Sequence, residues 1–149
     1  MSTGATPGTL PPDAGAPIPL TARAILTVDL TALRANWARL NVVSGKAECA
    51  GVLKADAYGL GLEQIAHALT AEGCRTFFVA TIDEARRARD VQAGARIYVL
   101  DGLLPGAEPH YSGYDLRPVL SSLDEVEDWA AYCRAIGRRL PAALHIDTG

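Results

Sequence analysis

The sequence lacks the features that would direct a chain into a membrane or onto a nucleic acid. No apolar run approaches the roughly 20 residues that a membrane-spanning helix needs. The 149 residues carry a formal net charge of −3, which gives no electrostatic reason to expect a nucleic acid or an anionic membrane as partner. The N-terminus has no basic segment followed by an apolar one, so we expect no secretory signal and predict a cytoplasmic protein.

Cysteine is also scarce, and its pattern argues against a metal site or a disulfide framework. Cys49, Cys74 and Cys133 are an odd count without metal-type spacing, so we predict buried or structural thiols in a reducing compartment. Hydrophobic residues make up 49% of the chain and charged residues 21%, a balance typical of a globular domain with a sizeable core.

The composition changes after the first two dozen residues. Residues 1–22 are rich in Pro, Gly, Ala and Thr and have no hydrophobic periodicity, so we predict a disordered tail there and a folded domain over residues 23–149.

Short apolar strands and amphipathic helices alternate through the predicted domain. Strands are predicted at Ala24–Val28, Glu48–Leu53, Thr76–Ala80, Arg96–Leu100, Arg117–Leu120 and Ala142–Ile146. The helices between them have recognisable starts: Asp29 as an N-cap, and two capping boxes formed by Thr81 with Glu84 and by Ser122 with Glu125. Residues 101–116 carry Gly and Pro throughout and predict a long loop with one weak helical turn.

This order predicts an α/β fold with a parallel sheet. From Glu48 onward five strands follow one another every 20 to 30 residues or so, as in βαβ units. Either a doubly wound sheet or a (β/α)8 TIM-type barrel would give this rhythm. A complete barrel needs about 250 residues, so if the parent fold is a barrel, these five strands are an N-terminal portion of one that is not closed. Both folds place their sites at the carboxyl ends of the strands.

One such end carries a lysine. In the stretch A-G-V-L-K-A-D-A-Y-G-L-G, an apolar run leads directly to Lys54. Desolvation there would lower the pKa of the amine and suit it to act as a nucleophile or a base. A solvated lysine at the start of a loop is an equally good interpretation of that residue alone. Tyr58, Gly59 and Gly61 add a hydroxyl and a flexible backbone before a helix, which favours phosphate. A lysine next to a phosphate-binding loop is what a pyridoxal phosphate Schiff base needs.

The stretch K-A-D-A-Y-G-L-G resembles the pyridoxal phosphate signature of the alanine racemases, K-A-N-A-Y-G-H-G. Four further segments resemble that family in order between residues 24 and 149: Val28-Asp29-Leu30, then Phe78-Val79-Ala80 with Asp83-Glu84-Ala85, then Ile97–Leu100, and finally Asp147-Thr148-Gly149, which looks like the start of D-T-G-M-x-R-L-G. The resemblance implies the N-terminal part of a fold-type III pyridoxal phosphate barrel.

The resemblance also implies specific roles. Lys54 would carry pyridoxal 5'-phosphate and act as the base on the D-alanine side, and Tyr58 would hydrogen-bond the cofactor phosphate. Val52 and Leu100 would line the cofactor pocket. The implied activity is the interconversion of L-alanine and D-alanine by a homodimer, supplying D-alanine for cell-wall peptidoglycan.

Three positions depart from the family pattern. Asp56 stands where the family often has Asn and Leu60 where it often has His, and we expect neither to carry chemistry. His145 falls where many members have a carbamylated lysine that orients the R-L-G arginine. That arginine, and a second base contributed as a tyrosine by the partner subunit, belong to segments downstream of these residues. We therefore expect the 149 residues to be an N-terminal fragment that is inactive alone.

Several alternatives stay open. The chain could be a non-catalytic or vestigial fragment that binds pyridoxal phosphate weakly or not at all, or a related cofactor-carrier barrel, although Y-G-x-G after the lysine favours the racemase over the carrier. Asp147-Thr148-Gly149 also spells the aspartic protease triplet, a remote alternative because its surroundings are βαβ. Gly59-Leu60-Gly61 does not continue as a dinucleotide fingerprint, since Gln64 stands where glycine is required.

Overall fold

A computed structural model describes Thr21 and residues 23–149. Apart from Thr21, the predicted tail at residues 1–22 lies outside the described residues, so that prediction stays untested. The helices are α1 (Leu30–Val43), α2 (Lys54–Gly59), α3 (Leu62–Ala71), α4 (Ile82–Val91), α5 (Glu108–Gly113) and α6 (Leu123–Ala135). The strands are β1 (Gly51–Val52), β2 (Thr76–Val79), β3 (Arg96–Val99), β4 (Leu116–Leu120) and β5 (Ala143–Leu144).

The five strands form one parallel sheet in the order β1-β2-β3-β4-β5. Each strand pairs with the next along the chain: Val52 lies opposite Phe78, Phe78 opposite Tyr98, and Tyr98 opposite Arg117. Within the described residues, β1 and β5 each pair on one side only. The prediction of five parallel strands from an unclosed barrel is therefore confirmed, and the carboxyl ends of the strands share one edge.

The hydrophobic core lies on one face of this sheet. Alternate strand residues point toward the helices and are fully buried, among them Leu53, Phe77, Val79, Ile97 and Val99. α3 contributes Leu62, Ile65 and Leu69 to the same cluster. Trp37 of α1 and Trp129 of α6 are both buried in this core.

Side chains of the opposite sheet face are only partly covered. Phe78 stacks on Tyr98 with ring centroids 5.0 Å apart. The Arg117 guanidinium lies over the same tyrosine ring and donates to its hydroxyl at 2.9 Å. Val52 leaves 45% of its surface exposed. This face therefore offers an open, mixed aromatic and polar surface beside the strand ends.

The predicted helix starts are confirmed by their hydrogen bonds. The Asp29 carboxylate accepts from the Ala32 N–H, the Thr81 hydroxyl from the Glu84 N–H, and the Ser122 hydroxyl from the Glu125 N–H. Each bond satisfies a backbone donor that the first turn of a helix leaves unpaired.

The structure corrects some boundaries. The prediction of a strand at Ala24–Val28 is wrong: no described strand pairs with this segment, and Ile25 and Leu26 are largely exposed. An apolar run becomes a strand only when a neighbour satisfies its backbone, which propensity alone does not report. Two strands, β1 and β5, are shorter than predicted, and the weak turn expected after Asp101 is helix α5.

Candidate active site

The lysine predicted as catalytic begins an unusual turn at the carboxyl end of β1. Lys54 opens α2, and the next four residues, Ala55 to Tyr58, all have φ between 53° and 57°. These are left-handed helical angles, which cost an L-residue about 1–2 kcal/mol each and normally occur singly. A run of four such residues directly after Lys54 persists only if the surroundings hold it in place.

Backbone and carboxylate contacts hold the start of the turn. The Ala57 N–H donates to the Leu53 carbonyl at 2.8 Å, and both of these residues are buried. The Asp56 N–H donates to the Glu84 carboxylate at 3.0 Å, whose other oxygen accepts the Ala80 N–H at 2.8 Å. Glu84 therefore ties the turn to the carboxyl end of β2.

A charged cluster holds the far side of the turn. The Asp56 carboxylate accepts from the Leu62 N–H at 3.1 Å and from Arg87 at 2.7 Å. Arg87 also donates to both oxygens of Glu63, at 2.7 and 2.9 Å. The hydrogen bonds from Arg87 hold the pKa values of Asp56 and Glu63 below their ordinary values. The cluster thus links α2, α3 and α4 around the turn.

The four predicted site residues lie near one edge of the sheet. Val52 is in β1, and Leu100 directly follows β3. Because strand side chains alternate, Leu100 lies on the face of Tyr98, which is also the face of Val52. Lys54 and Tyr58 belong to the turn that follows β1.

All four are exposed to solvent. Tyr58 leaves 64% of its surface accessible and Leu100 37%. Lys54 is exposed as well. The described residues therefore do not bury its side chain, although the apolar strand before it had suggested desolvation. The apolar run ends on buried Leu53, and the chain then turns outward. The four residues form an open surface rather than an enclosed pocket.

A separate cavity of about 320 Å³ lies at the carboxyl ends of β2 and β3. Its walls come from the start of α4 and from the segment after β3, including Thr81, Arg86, Asp101 and His110. None of the four predicted site residues lines it, so this cavity is not part of the lysine surface. Among the described residues, no group of three or more His, Cys, Asp or Glu side chains could hold a metal ion.

Sequence reasoning missed three residues that shape the turn: Asp56, Glu84 and Arg87. Asp56 was expected to carry no chemistry; what the sequence did not indicate is its structural role, in which its carboxylate accepts hydrogen bonds from Leu62 and Arg87. The capping box identified Glu84 as a helix residue but not as a contact of the lysine turn. That second contact joins residues 28 positions apart, and no local pattern reports such a pair.

The remaining candidates are unremarkable. His145 is exposed, and its backbone N–H extends the β4–β5 ladder to the Leu120 carbonyl. The Asp147 carboxylate accepts the N–H of Gly149, a local turn bond. Cys49, Cys74 and Cys133 are all free thiols, and burial raises the pKa of Cys74. No helix in the described part of the chain is long and apolar enough to cross a membrane.

Comparison with known proteins places this turn in a family. The family described as "Alanine racemase, N-terminal domain" matches residues 28–149. The alanine racemase of Methylobacterium sp. (strain 4-46) is 59% identical over 124 residues, which are 83% of this chain and 34% of that protein. The chain thus spans about a third of the length of the curated relatives it matches.

Solved structures agree in fold. An alanine racemase from Bartonella henselae, solved with covalently bound pyridoxal phosphate, superposes with a TM-score of 0.79 at 38% identity, over 82% of this chain and 34% of that one. The alanine racemase from Streptomyces coelicolor A3(2) gives 0.74 at 32% identity, over 82% of this chain and 33% of that one. The aspartic protease alternative finds no support in this parallel sheet. Residues 28–149 therefore belong to the alanine racemase N-terminal domain family.

Proposed function

We propose that this chain provides the lysine-bearing part of an enzyme that interconverts L-alanine and D-alanine with pyridoxal 5'-phosphate. The observation that carries the proposal is the strained turn at Lys54. In this family member, four residues with left-handed backbone angles directly follow an exposed lysine. Backbone strain of this kind clusters at active sites, where reactive groups are positioned.

The residues present fit the cofactor chemically. An exposed primary amine lies at a strand end, in the same turn as the Tyr58 phenol and at the sheet edge that also carries the exposed apolar side chains of Val52 and Leu100. These are the groups needed for an imine to an aldehyde, a hydrogen bond to a phosphate, and a surface for an aromatic ring. When bound, pyridoxal phosphate would supply an electron sink that stabilises the charge left when the alanine Cα proton departs.

The chain's own residues would then do three things. The Lys54 amine would bind the cofactor and afterwards remove or return the Cα proton on the D-alanine side. The Tyr58 hydroxyl would donate to the phosphate. Val52 and Leu100 would pack against the cofactor and exclude water from one side of it.

The further features implied by the family resemblance are proposals of the same kind. They are a homodimer in which the partner subunit supplies a tyrosine as second base, a cytoplasmic location, and D-alanine supply for peptidoglycan. By the resemblance, the 149 residues would hold one of the two bases, so we expect no racemisation by them alone. A non-catalytic cofactor-binding role is the second candidate, favoured by that same single base.

The test is to add pyridoxal phosphate, reduce with borohydride and map the added mass by peptide analysis. Lys46 and Lys54 are the two lysines in the sequence, and Lys46 is exposed in the turn after α1. We expect labelling of Lys54 in the wild type and in Lys46→Ala, and its loss in Lys54→Ala. Equal labelling of both lysines, or none at Lys54, would refute a specific site.

Alanine turnover is measured separately. Purified chain, loaded with pyridoxal phosphate, is incubated with L-alanine and assayed for D-alanine. Labelled Lys54 without D-alanine is the expected result. D-alanine formation that depends on Lys54 would show that the second base is not required.

A further inference from the structure

The carboxylate of Glu84 makes two backbone contacts in different elements. One oxygen accepts the Ala80 N–H at 2.8 Å, next to the N-cap of its own helix. The other accepts the Asp56 N–H at 3.0 Å, across 28 positions of sequence. Asp56 is the third residue of α2 and has φ 54°. One half-buried side chain thus connects the lysine turn to the end of the adjacent strand.

The turn needs such a connection because its backbone is strained. Each of the four left-handed residues would gain free energy by returning to a right-handed conformation. Lys54 is the first residue of the turn, so relaxation of the turn would move its amine relative to Val52 and Leu100. The contacts of Asp56 with Leu62 and Arg87 join the turn to helices, whereas the Glu84 contact joins it to the strand edge where the site lies.

We propose that Glu84 is a positioning residue for Lys54. Its carboxylate maintains the left-handed turn and thereby fixes where the lysine amine is presented at the carboxyl edge of the sheet. Glu84 acts through the backbone and touches neither cofactor nor substrate. The inference rests on the proposed function of Lys54 for its catalytic meaning, but the control of the turn by Glu84 stands on geometry alone.

A simpler role for Glu84 is that it only caps its helix, and the chain contains a matched case for comparison. Glu125 belongs to the second capping box, where its carboxylate accepts the Ser121 N–H at 2.5 Å and the Leu103 N–H at 3.3 Å. Its second contact also reaches the loop after a neighbouring strand, and that loop carries no lysine. Loss of helix capping alone should affect both positions in the same way.

The experiment compares Glu84→Gln with Glu125→Gln. Glutamine keeps the size of the side chain but replaces one acceptor oxygen with a donor group, so one of the two backbone N–H groups loses its partner. Hydrogen exchange of the peptide spanning residues 54–61 is the first measurement, and it needs no cofactor. A hydrogen bond to a charged group is strong enough that its loss should speed this exchange about tenfold. Glu125→Gln should leave that peptide unchanged.

The second measurement is the rate at which pyridoxal phosphate and borohydride label Lys54 relative to Lys46. We expect Glu84→Gln to label Lys54 several-fold more slowly, with Lys46 unaffected, and Glu125→Gln to match the wild type. Thermal unfolding midpoints of both variants report the capping loss that they share. If Glu84→Gln does not fold, Glu84→Asp keeps the charge and shortens the reach, and we expect the same direction of change.

The outcomes separate the two proposals. If exchange at residues 54–61 is no faster in the Glu84 variant than in the Glu125 variant, Glu84 does not hold the turn and the inference is overturned. Faster exchange with an unchanged Lys54 labelling rate would overturn the positioning of the amine. Absence of Lys54 labelling in the wild type would instead refute the proposed function, while the exchange result would still decide the control of the turn.

Discussion

Two loops at the same edge of the sheet are each held by a glutamate carboxylate, but their backbones have different conformations. The loop after β1 is tied down by Glu84 and the loop after β3 by Glu125, each from a capping box on a following helix. The first loop places four L-residues in left-handed conformation. The second uses glycine where its backbone turns, since Gly102 has φ 78°.

The difference shows where the molecule keeps strain. The loop after β3 is relaxed and packed: the Tyr111 hydroxyl donates to the Gly102 carbonyl at 2.5 Å, and the Tyr111 ring packs edge-on against Trp129. Burial raises the pKa of Tyr111 to about 12, which keeps this hydroxyl protonated as a donor. The loop after β1 exposes its lysine and tyrosine and keeps non-glycine residues at unfavourable angles. Such strain persists only where the surrounding structure over-determines the conformation.

The largest expected effect tests the relaxed loop. Gly102→Ala introduces a Cβ at positive φ that would overlap the Glu125 carboxylate. We expect it to lower the free energy of unfolding by about 2–5 kcal/mol, the sum of backbone strain and overpacking. Urea denaturation measures the change.

The matched control is Gly59→Ala in the strained loop. Gly59 has φ 80°, and a Cβ there would meet nothing within 4 Å. Backbone strain alone should cost about 1–2 kcal/mol. Equal losses in the two variants would mean that the Glu125 carboxylate is not fixed against the loop.

The second prediction is that a substitution by glycine raises the free energy of unfolding, whereas glycine usually lowers it. Ala55 is exposed and has φ 54°, so Ala55→Gly should relieve left-handed strain. After subtracting the greater freedom of glycine in the unfolded chain, we expect a gain of about 0.5–1 kcal/mol in the free energy of unfolding.

Ala35→Gly is its counterpart in a right-handed helix. Ala35 is an exposed residue inside α1, where glycine should cost about 0.5–1 kcal/mol. Chemical denaturation of both variants gives the comparison directly. A loss of stability in Ala55→Gly similar to that in Ala35→Gly would contradict a strained turn.

The smallest expected effect is the pH dependence of the stability that Asp56 contributes. Hydrogen bonds from Arg87 lower the pKa of Asp56 from its ordinary value of 3.8. A carboxyl group with a lowered folded-state pKa stabilises the fold above its unfolded value, and this contribution disappears as the pH falls through the folded value. The difference in unfolding free energy between wild type and Asp56→Asn should therefore be constant above about pH 5 and shrink below 3.8.

The same difference should shrink in high salt, because the groups are exposed and their attraction is screened. Denaturation curves collected between pH 3 and 7, at low and high salt, measure both trends. Asp128→Asn, which removes the same charge at an exposed position of α6, serves as the charge-matched control. A pH-independent difference for Asp56→Asn would show that the charge on Asp56 contributes nothing to the turn.

Much of the fold was accessible from local sequence patterns. The helix starts at Thr81 and Ser122 depend on contacts between near neighbours, and their prediction is confirmed, as is that of five parallel strands. The segment Ala24–Val28 was predicted wrongly because its apolar pattern is the same whether or not a strand lies beside it. The assignment of Lys54, Tyr58, Val52 and Leu100 as site residues remains a prediction.

The sequence by itself determined the parallel α/β order, the family and the place of Lys54 at a strand end, because these follow from periodicity and a contiguous motif. The tertiary structure decided the left-handed path of the backbone after the lysine. The two alanines and the tyrosine of this run do not favour left-handed angles locally, and contacts from distant residues, Glu84 and Arg87, add to the local hydrogen bonds that hold the turn. Such a conformation is a property of the assembled fold, since its stabilising partners come together only when the strands and helices pack.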